Sequence, residues 1–477
     1  MALQEHLLAP RGRGALADAP YAGAAGGSAC GDLVRIAVRV EGNRVVEAGF
    51  DTTGCAPVSA AASAVVELVE GESFLDAARL TADHVAGELG GLLPAAHHAA
   101  ELSADALHRA LGAAARDGAP LLDPDPGRTL VAMSGGVDSA AAAQLALDAG
   151  DDVVAVTLEL WSDPATDSEK SCCSPRAVTG ARDLAHRMGM PHVTLDLRER
   201  FRAAVVDPFV TGYADGLTPN PCVRCNGEVR FDAMLALAGT LGAARLATGH
   251  YARIERDVHG LLIRAGADPA KDQAYMLARL EPRWLDHLSF PLGGLTKDTV
   301  RSLARDAGLP VADKRESQDL CFAAGLGARG FLRRHGPPTL RRPGPIVDRQ
   351  GTELGRHDGQ HGFTVGQRRG IGLAGPEPLY VLAKDARSAT VTVGPRAALR
   401  VDRVRLEGPR LHRGAAAVTR TRLRHGAASL ACRALEDADG GVELVLDEPA
   451  EAVAPGQLAC LMAGDVVVGH GTIAASA

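Results

Sequence analysis

The chain has 477 residues, 46% of them hydrophobic, with a formal net charge of −7. That length exceeds one ordinary domain and predicts roughly three. The charge excludes a globally basic nucleic-acid binder, though not a local basic patch. No apolar run reaches the ~18 residues of a membrane span. The N-terminus MALQEHLLAPRGRG lacks a signal-peptide h-region, so a cytoplasmic location is expected.

Residues 1–115 read as a first unit. DLVRIAVRVEGNRVVEAGFDTTG alternates apolar and polar residues around EGN, which predicts a β-hairpin. APVSAAASAVVELVEG predicts a small-residue helix ending at Gly71, and SADALHRALGAAA a second helix with Ser103 as N-cap. Residues 116–128, RDGAPLLDPDPGR, are rich in Pro, Gly and Asp and read as a linker. The pattern then changes. TLVAM, SGGVDS, AAAAQLALDAG, DVVAVTLELW, AVTGARDLAHRMGM and HVTLDL run strand, loop, helix, strand, helix, strand. That order predicts an α/β doubly wound parallel sheet over 129–283. ARLATGHYARI (244–254) adds a buried strand running into a loop. Residues 284–345 mix helices and loops as a small central domain, and 346–477 carry the short strands and Gly/Asp turns of a β-barrel.

VAMSGGVDSA places two glycines between a strand and a helix, so backbone N–H groups and a helix N-terminus can face an anion. Ser134 and Ser139 supply hydroxyls, and Asp138 a carboxylate for Mg²⁺ or for capping. Nine cysteines in a long chain without a leader argue against a structural disulfide framework. The informative ones are spaced: Cys222 and Cys225 in TPNPCVRCNGEVRF, Cys321 in SQDLCFAAG, and the adjacent Cys172–Cys173, read as a loop near substrate. Cys432 and Cys460 sit in barrel strands and read as core.

SGGVDS resembles the PP-loop of N-type ATP pyrophosphatases, which adenylate a substrate and release pyrophosphate. More narrowly, MSGGVDS, TPNPCVRCNGEVRF, ATGHYAR, KDQAYML, ESQDLCF, FTVGQRRGIGL and APGQLA resemble, in order, the bacterial tRNA-specific 2-thiouridylase family, over about three quarters of the chain. The resemblance implies ATP, Mg²⁺ and tRNA as ligands and a sulfur-donor protein (a cysteine desulfurase or sulfur relay protein) as partner. It implies 2-thiolation of the wobble uridine. Replacing the uracil C2 oxygen needs that oxygen adenylated, then attacked by sulfur. A cysteine persulfide can deliver the sulfur, and a second thiolate can cleave the carrier S–S bond by thiol–disulfide exchange.

The family's roles carry over residue by residue. Cys225 matches the nucleophile and Cys321 the persulfide carrier. Ala132, Met133, Ser134, Gly135, Gly136, Val137, Asp138 and Ser139 match the ATP loop, with Leu158 and Gly249 lining the same site. Asn220, Pro221 and Cys222 match the segment meeting the target base. His250, following Gly249, reads as a base or a base contact, and equally as a core or hydrogen-bonding histidine. Lys271, Asp272, Gln273, Arg422, Leu423 and Gln457 match tRNA contacts. Many members carry Asp where this chain has Cys222. The substitution leaves three thiols, Cys222, Cys225 and Cys321, that could instead hold a [4Fe–4S] cluster with one open iron. Zinc would ask for a fourth ligand. Another PP-loop ATP-dependent ligase, such as an amidotransferase-type synthetase, is the alternative; the paired cysteines speak against it.

The first unit resembles the IscU/NifU-type iron–sulfur scaffold. Cys30, Asp32 and Cys55 match its ligand positions, and His98-Ala99 stands where a His-Cys pair is expected. Cys30, Cys55 and His98 with Asp32 suit zinc; equally, the site could be a relic or a docking domain.

Overall fold

A computed structural model of the chain describes residues 2–16, 18–26, 31–163, 175–314, 320–373 and 377–475. Cys30, Cys172 and Cys173 therefore lie outside the described residues.

The N-terminal unit is a three-stranded antiparallel sheet, Tyr21–Gly26, Leu33–Glu41 and Arg44–Thr53, covered by helices Ala56–Val69 and His97–Arg116. The hairpin follows the alternation read from the sequence in part: Val34, Ile36 and Val38 are fully buried, Arg35 and Arg39 point away from the core, and Ala37 is buried as well. The helix expected to begin at Ser103 begins at His97. Ser103 is buried inside it, its hydroxyl donating to the Ala99 carbonyl four residues back, a bond available to serine in a helix interior.

The second unit is a parallel sheet in the order Leu288–Ser289, Ala243–Thr248, Asp125–Ala132, Asp152–Glu159, His192–Asp196. Strand Asp125–Ala132 is flanked by strands reached in opposite directions, so a crevice opens at its carboxyl end. That is where SGGVDS falls. Helices Val137–Asp148, Pro175–Arg187 and Lys297–Asp306 cover one face, with an alanine-rich core of Ala140, Ala143, Ala181 and Ala304 that permits close approach.

The carboxyl part holds a four-stranded sheet built from residues 344–394 and a closed ring of six antiparallel strands. The ring runs Arg400–Leu411, Val442–Glu451, Leu430–Glu436, Arg420–Arg422, Leu458–Ala463, Val466–Ile473, and the last pairs back with the first. Hairpin Ala252–Asp257/Gly260–Ala265 adds to the final ring strand, so the polypeptide of the second unit contributes strands to the barrel sheet. Cys432 and Cys460 are buried in this barrel, and desolvation pushes their thiols up to about 11 and about 12. No described helix is long and apolar enough to cross a membrane.

The N-terminal unit is packed against the second one. Helix His97–Arg116 lies against the edge strand His192–Asp196, and Leu107 and Leu111 share one hydrophobic core with Val156 and Leu195. Buried ion pairs cross the junction: Asp105–Arg182 at 2.9 Å and Arg109–Glu159 at 2.8 Å. Leu121 N–H donates to the Thr240 carbonyl at 2.9 Å, so the stretch expected as a linker is tied to the second unit.

Candidate active site

The phosphate loop closes between strand Asp125–Ala132 and helix Val137–Asp148. Gly135 adopts φ +67°, a conformation that favours glycine, and Gly136 precedes the helix as its N-cap. Ser139 Oγ donates to the Gly136 carbonyl at 3.0 Å and accepts from Ser134 N–H at 3.1 Å, which fixes the loop as an open cradle. Gly249 follows the neighbouring strand. A Cβ there would sit 2.7 Å from the Asp138 carbonyl carbon and 2.8 Å from Ser139 N, so only glycine lets the two segments meet. Leu158 is buried near the end of the strand on the other side.

Asp138, on the first turn of the helix, is held by side chains that sequence reasoning did not single out. Lys297 Nζ lies 2.7 and 2.8 Å from its two oxygens, and the Tyr251 hydroxyl donates to Oδ1 at 2.7 Å. Lys314 Nζ donates to the Gly135 carbonyl at 2.8 Å. Lys297 was visible only as the first residue of a helix after its Thr296 cap. Nothing local marks a partner 159 residues away.

The CxxC segment forms a short helix, Pro221–Cys225. Asn220 caps it, its side chain accepting from Cys222 N–H at 3.1 Å and Val223 N–H at 3.3 Å, and Pro221 occupies N1, where a missing N–H costs nothing. Cys225 is buried with Val223, Val229 and Phe231, while Cys222, one turn earlier, is half-buried. The barrel positions this segment: Thr218 N–H donates to the Pro455 carbonyl at 2.8 Å, and Gln457 donates to the Thr218 carbonyl. Gln457 is thus bonded within the chain to the cysteine segment. Lys384 Nζ, desolvated and pushed down to about 8, donates to the Leu217 carbonyl at 3.3 Å.

Cys321, half-buried, opens a turn whose Phe322 inserts among Trp161, Phe201, Phe209 and Phe331, with ring centroids 4.8–6.4 Å away. Trp161 follows strand Asp152–Glu159, and Phe231, buried close behind Cys225, meets His250 at 5.7 Å beyond strand Ala243–Thr248. Both thiol segments therefore border the carboxyl edge of the sheet that carries the phosphate loop. His250 accepts or donates at Thr248 Oγ1, 2.7 Å away; burial, with the nearby Arg230 charge, pushes it down to about 3, so its ring is neutral near pH 7.

The expected tRNA-contact residues divide. Asp272 and Arg422 are paired with each other, and Asp272 also accepts from Gly266 and Ala274 N–H. Gln273 Oε1 accepts from Tyr251 N–H at 2.9 Å, which links this segment to the Asp138 cluster. The Leu423 side chain is buried in the barrel core. Lys271 is half-buried beside them.

In the N-terminal unit, Asp32, Cys55 and His98 converge. His98 Nε2 lies 3.0 Å from Asp32 Oδ2 and 3.9 Å from Cys55 Sγ, which lies 3.4 Å from the same carboxylate oxygen. His98 Nδ1 bonds to the Ala95 carbonyl at 2.9 Å, so Nδ1 carries a proton. The imidazole nitrogen, carboxylate oxygen and sulfur all lie within 4.8 Å of one another, a donor set that suits a cation. Gly54 permits the geometry, since a Cβ there would lie 1.9 Å from Asp32 Oδ1. Partial desolvation, reinforced by Asp32, pushes the Cys55 thiol up.

Comparison with known proteins follows this geometry. Residues 2–116 match the family described as NifU-like N terminal domain, 127–325 the tRNA methyl transferase HUP domain, 329–395 the tRNA methyl transferase PRC-barrel domain and 396–473 the aminomethyltransferase beta-barrel domain. The chain is 44% identical to a protein named bifunctional NifU/MnmA from Rubrobacter xylanophilus, over 98% of this chain and 97% of that one. It belongs to the tRNA-specific 2-thiouridylase family, in the form fused to a NifU-like domain. Thiouridylases without the fusion align with the remainder: one from Rhodospirillum centenum at 43% identity over 73% of this chain and 92% of its own, and one from Thermobifida fusca at 45% over 73% and 95%. The thiouridylase part is thus the phosphate-loop sheet with its barrels.

Proposed function

We propose that this chain uses ATP to replace the C2 oxygen of the tRNA wobble uridine with sulfur. The observation that supports this reading most is that a phosphate cradle and two cysteine segments lie along the carboxyl edge of one sheet in a chain of this family. The cradle Ala132–Ser139, with Leu158 and Gly249, takes ATP and its Mg²⁺. The uracil C2 oxygen attacks the α-phosphorus, and pyrophosphate leaves. Asn220, Pro221, Cys222 and His250 form the surroundings of the base. Half-buried Lys271 and Gln273 form the tRNA-facing margin, and Asp272, Arg422, Leu423 and Gln457, paired or buried within the chain, hold that margin in place. Cys321 receives sulfane sulfur from a donor protein, its terminal sulfur displaces AMP, and Cys225 cleaves the carrier S–S bond to leave a disulfide.

The test is thiolation of uridine-bearing tRNA by anaerobically purified protein, with iron and sulfide measured alongside. Loss of product in Cys225→Ser and in Cys321→Ser, in iron-free protein, is the expected result. Iron and sulfide that disappear with Cys222→Ala, together with activity, would replace the persulfide route with a cluster held by Cys222, Cys225 and Cys321.

In the N-terminal unit, Asp32, Cys55 and His98, with Cys30 as a fourth ligand, would hold a zinc ion. When bound, the ion would lower the Cys55 pKa and keep the sulfur as thiolate. The residues' own part is to fix that sulfur: Asp32 Oδ1 accepts from the Cys55 N–H at 2.8 Å, and Ala95 orients the imidazole.

A further inference from the structure

Two lysines converge on the phosphate loop from a single downstream stretch, and neither is explained by packing alone. Lys297 is buried, and its ammonium sits on Asp138, at the first turn of the loop's helix. Its chain is held by its own backbone N–H, which donates to Asp268 Oδ2 at 3.0 Å, and its ammonium lies 5.8 Å from the Tyr251 ring centre. Lys314, exposed and eight residues beyond the end of helix Lys297–Asp306, donates to the loop carbonyl of Gly135. A carboxylate on the first turn of a helix is already favoured there by the dipole. Pairing with that carboxylate offsets part of the cost of burying the lysine and holds a charged ammonium beside the loop.

We propose that Lys297 and Lys314 bind the β- and γ-phosphates of ATP and carry the charge of the departing pyrophosphate. This rests on the reading of Ala132–Ser139 as the triphosphate cradle. Without nucleotide, Asp138 keeps the Lys297 ammonium beside the loop at fixed cost. When ATP arrives with Mg²⁺, the carboxylate has a competing cation and the ammonium turns to phosphate oxygen. In the adenylation step the bond from uracil O2 to the α-phosphorus forms and the Pα–O–Pβ bond breaks. The electron pair leaves on the pyrophosphate oxygen, the uracil N3 proton passes to solvent, and no redox change occurs. The two ammonium groups offset the charge that develops on the leaving group, in a site where preorganised cations act strongly.

The experiment measures affinities of the full-length chain for ATP, inorganic pyrophosphate, AMP and tRNA by calorimetry, with pyrophosphate release as the rate. Lys297→Met and Lys314→Met should each weaken ATP and pyrophosphate by about tenfold or more. AMP and tRNA affinities should stay within about twofold, and Lys297→Arg should recover part of the loss. Gly136→Asp tests the cradle itself. Gly136 has φ −99°, and a Cβ there meets only Ser134 Oγ at 3.5 Å, so the substitution fits while placing a negative charge against the phosphates. Unchanged ATP affinity in Gly136→Asp would overturn the cradle reading. Loss in Gly136→Asp with unchanged ATP and pyrophosphate affinity in both methionine variants would overturn the lysine assignment alone. AMP weakening in parallel with pyrophosphate would also overturn it, because a general loosening of the loop predicts that pattern. If Lys297→Met does not fold, Lys297→Arg and Lys314→Met decide the same question.

Discussion

Gly112→Ala should uncouple the N-terminal unit from the ATP-binding unit. Gly112 is in the interior of helix His97–Arg116, where it faces the edge strand. A Cβ there would lie 1.9 Å from the Thr194 carbonyl oxygen and 3.1 Å from its carbon, against the 3.0 Å that real Cβ contacts essentially never undercut. Both sides are backbone, so no rotamer relieves the clash and the helix must retreat by about 1 Å. In an open helix the substitution would gain about 1 kcal/mol of propensity. Here the overpacking costs about 1–3 kcal/mol, and the retreat also strains the buried Arg109–Glu159 and Asp105–Arg182 pairs, whose outright loss would cost about 3–5 kcal/mol. The net is a loss of about 2–4 kcal/mol. Denaturant unfolding of the full chain, with limited proteolysis across residues 117–124, measures it. The expected result is earlier unfolding of the N-terminal unit and cleavage in that stretch. Gly87→Ala is the matched control: its Cβ meets nothing within 4 Å, so it should leave stability equal or raise it. Gly112→Ala as stable as that control would refute the docked arrangement.

Other outcomes follow from the same contacts. Gly249→Ala should weaken ATP binding by about tenfold or more, because its Cβ pushes into the backbone of Asp138 and Ser139; equilibrium binding reads it. Asn220→Ala should cost about 1 kcal/mol locally by uncapping Pro221–Cys225 and should lower the thiolation rate more than ATP affinity. His98→Ala and Asp32→Ala should each reduce bound zinc in protein purified with the metal, leaving ATP affinity intact, as metal analysis would show. The domain junction should be acid-sensitive. His108, His186 and His192 meet there with ring centroids 5.3–6.5 Å apart. His108 and His186 donate Nε2–H to the Leu80 and Ala78 carbonyls. His192 donates to Thr157 Oγ1, whose own proton goes to the Met133 carbonyl. All three rings are thus neutral, with Arg182 facing all of them and Arg79 and His84 also near His186. Desolvation, then the neighbouring positive charges, lowers all three pKa values, that of His186 to about 4. The unfolded chain binds these protons first, so the stabilisation is full above about pH 6.5 and is lost as pH falls toward 4, by about 3 kcal/mol for His186 alone. A pH series of unfolding midpoints, flattened in His186→Gln, checks it.

Much of the site was legible because its chemistry is local. SGGVDS needs its glycines and serines within a few residues, and NPCVRCN carries its own cap, Asn220, its N1 proline and its thiols in one turn. Asp32, Cys55 and His98 were expected together, with Cys30, from the resemblance to the iron–sulfur scaffold and not from their spacing; they converge because they sit at or near element ends, where side chains from distant segments can meet. What stayed hidden is long-range pairing of side chains that look ordinary in place. Lys297 is one lysine in an amphipathic helix, and Tyr251 one aromatic after a strand; their meeting at Asp138 depends on the wound sheet. Ser103 misled because a serine before an apolar run has the pattern of a cap, whereas burial lets it bond back to Ala99. The docking of the first unit was equally invisible, since Gly112 in an alanine-rich helix gives no sign that a strand passes beside it. The hairpin 252–265 alternates only briefly, at Ala252-Arg253-Ile254, and nothing local says which sheet it joins.

The most direct measurement is nucleoside mass spectrometry of uridine-bearing tRNA after reaction with the full chain, ATP, Mg²⁺ and a sulfane-sulfur donor, with AMP and pyrophosphate counted in the same tubes. One 2-thiouridine for each AMP and each pyrophosphate, confined to the wobble position and absent in Cys225→Ser and Cys321→Ser, is the result this account predicts. ATP cleaved to ADP and phosphate, or 2-thiouridine formed at an undiminished rate without either cysteine, would contradict it.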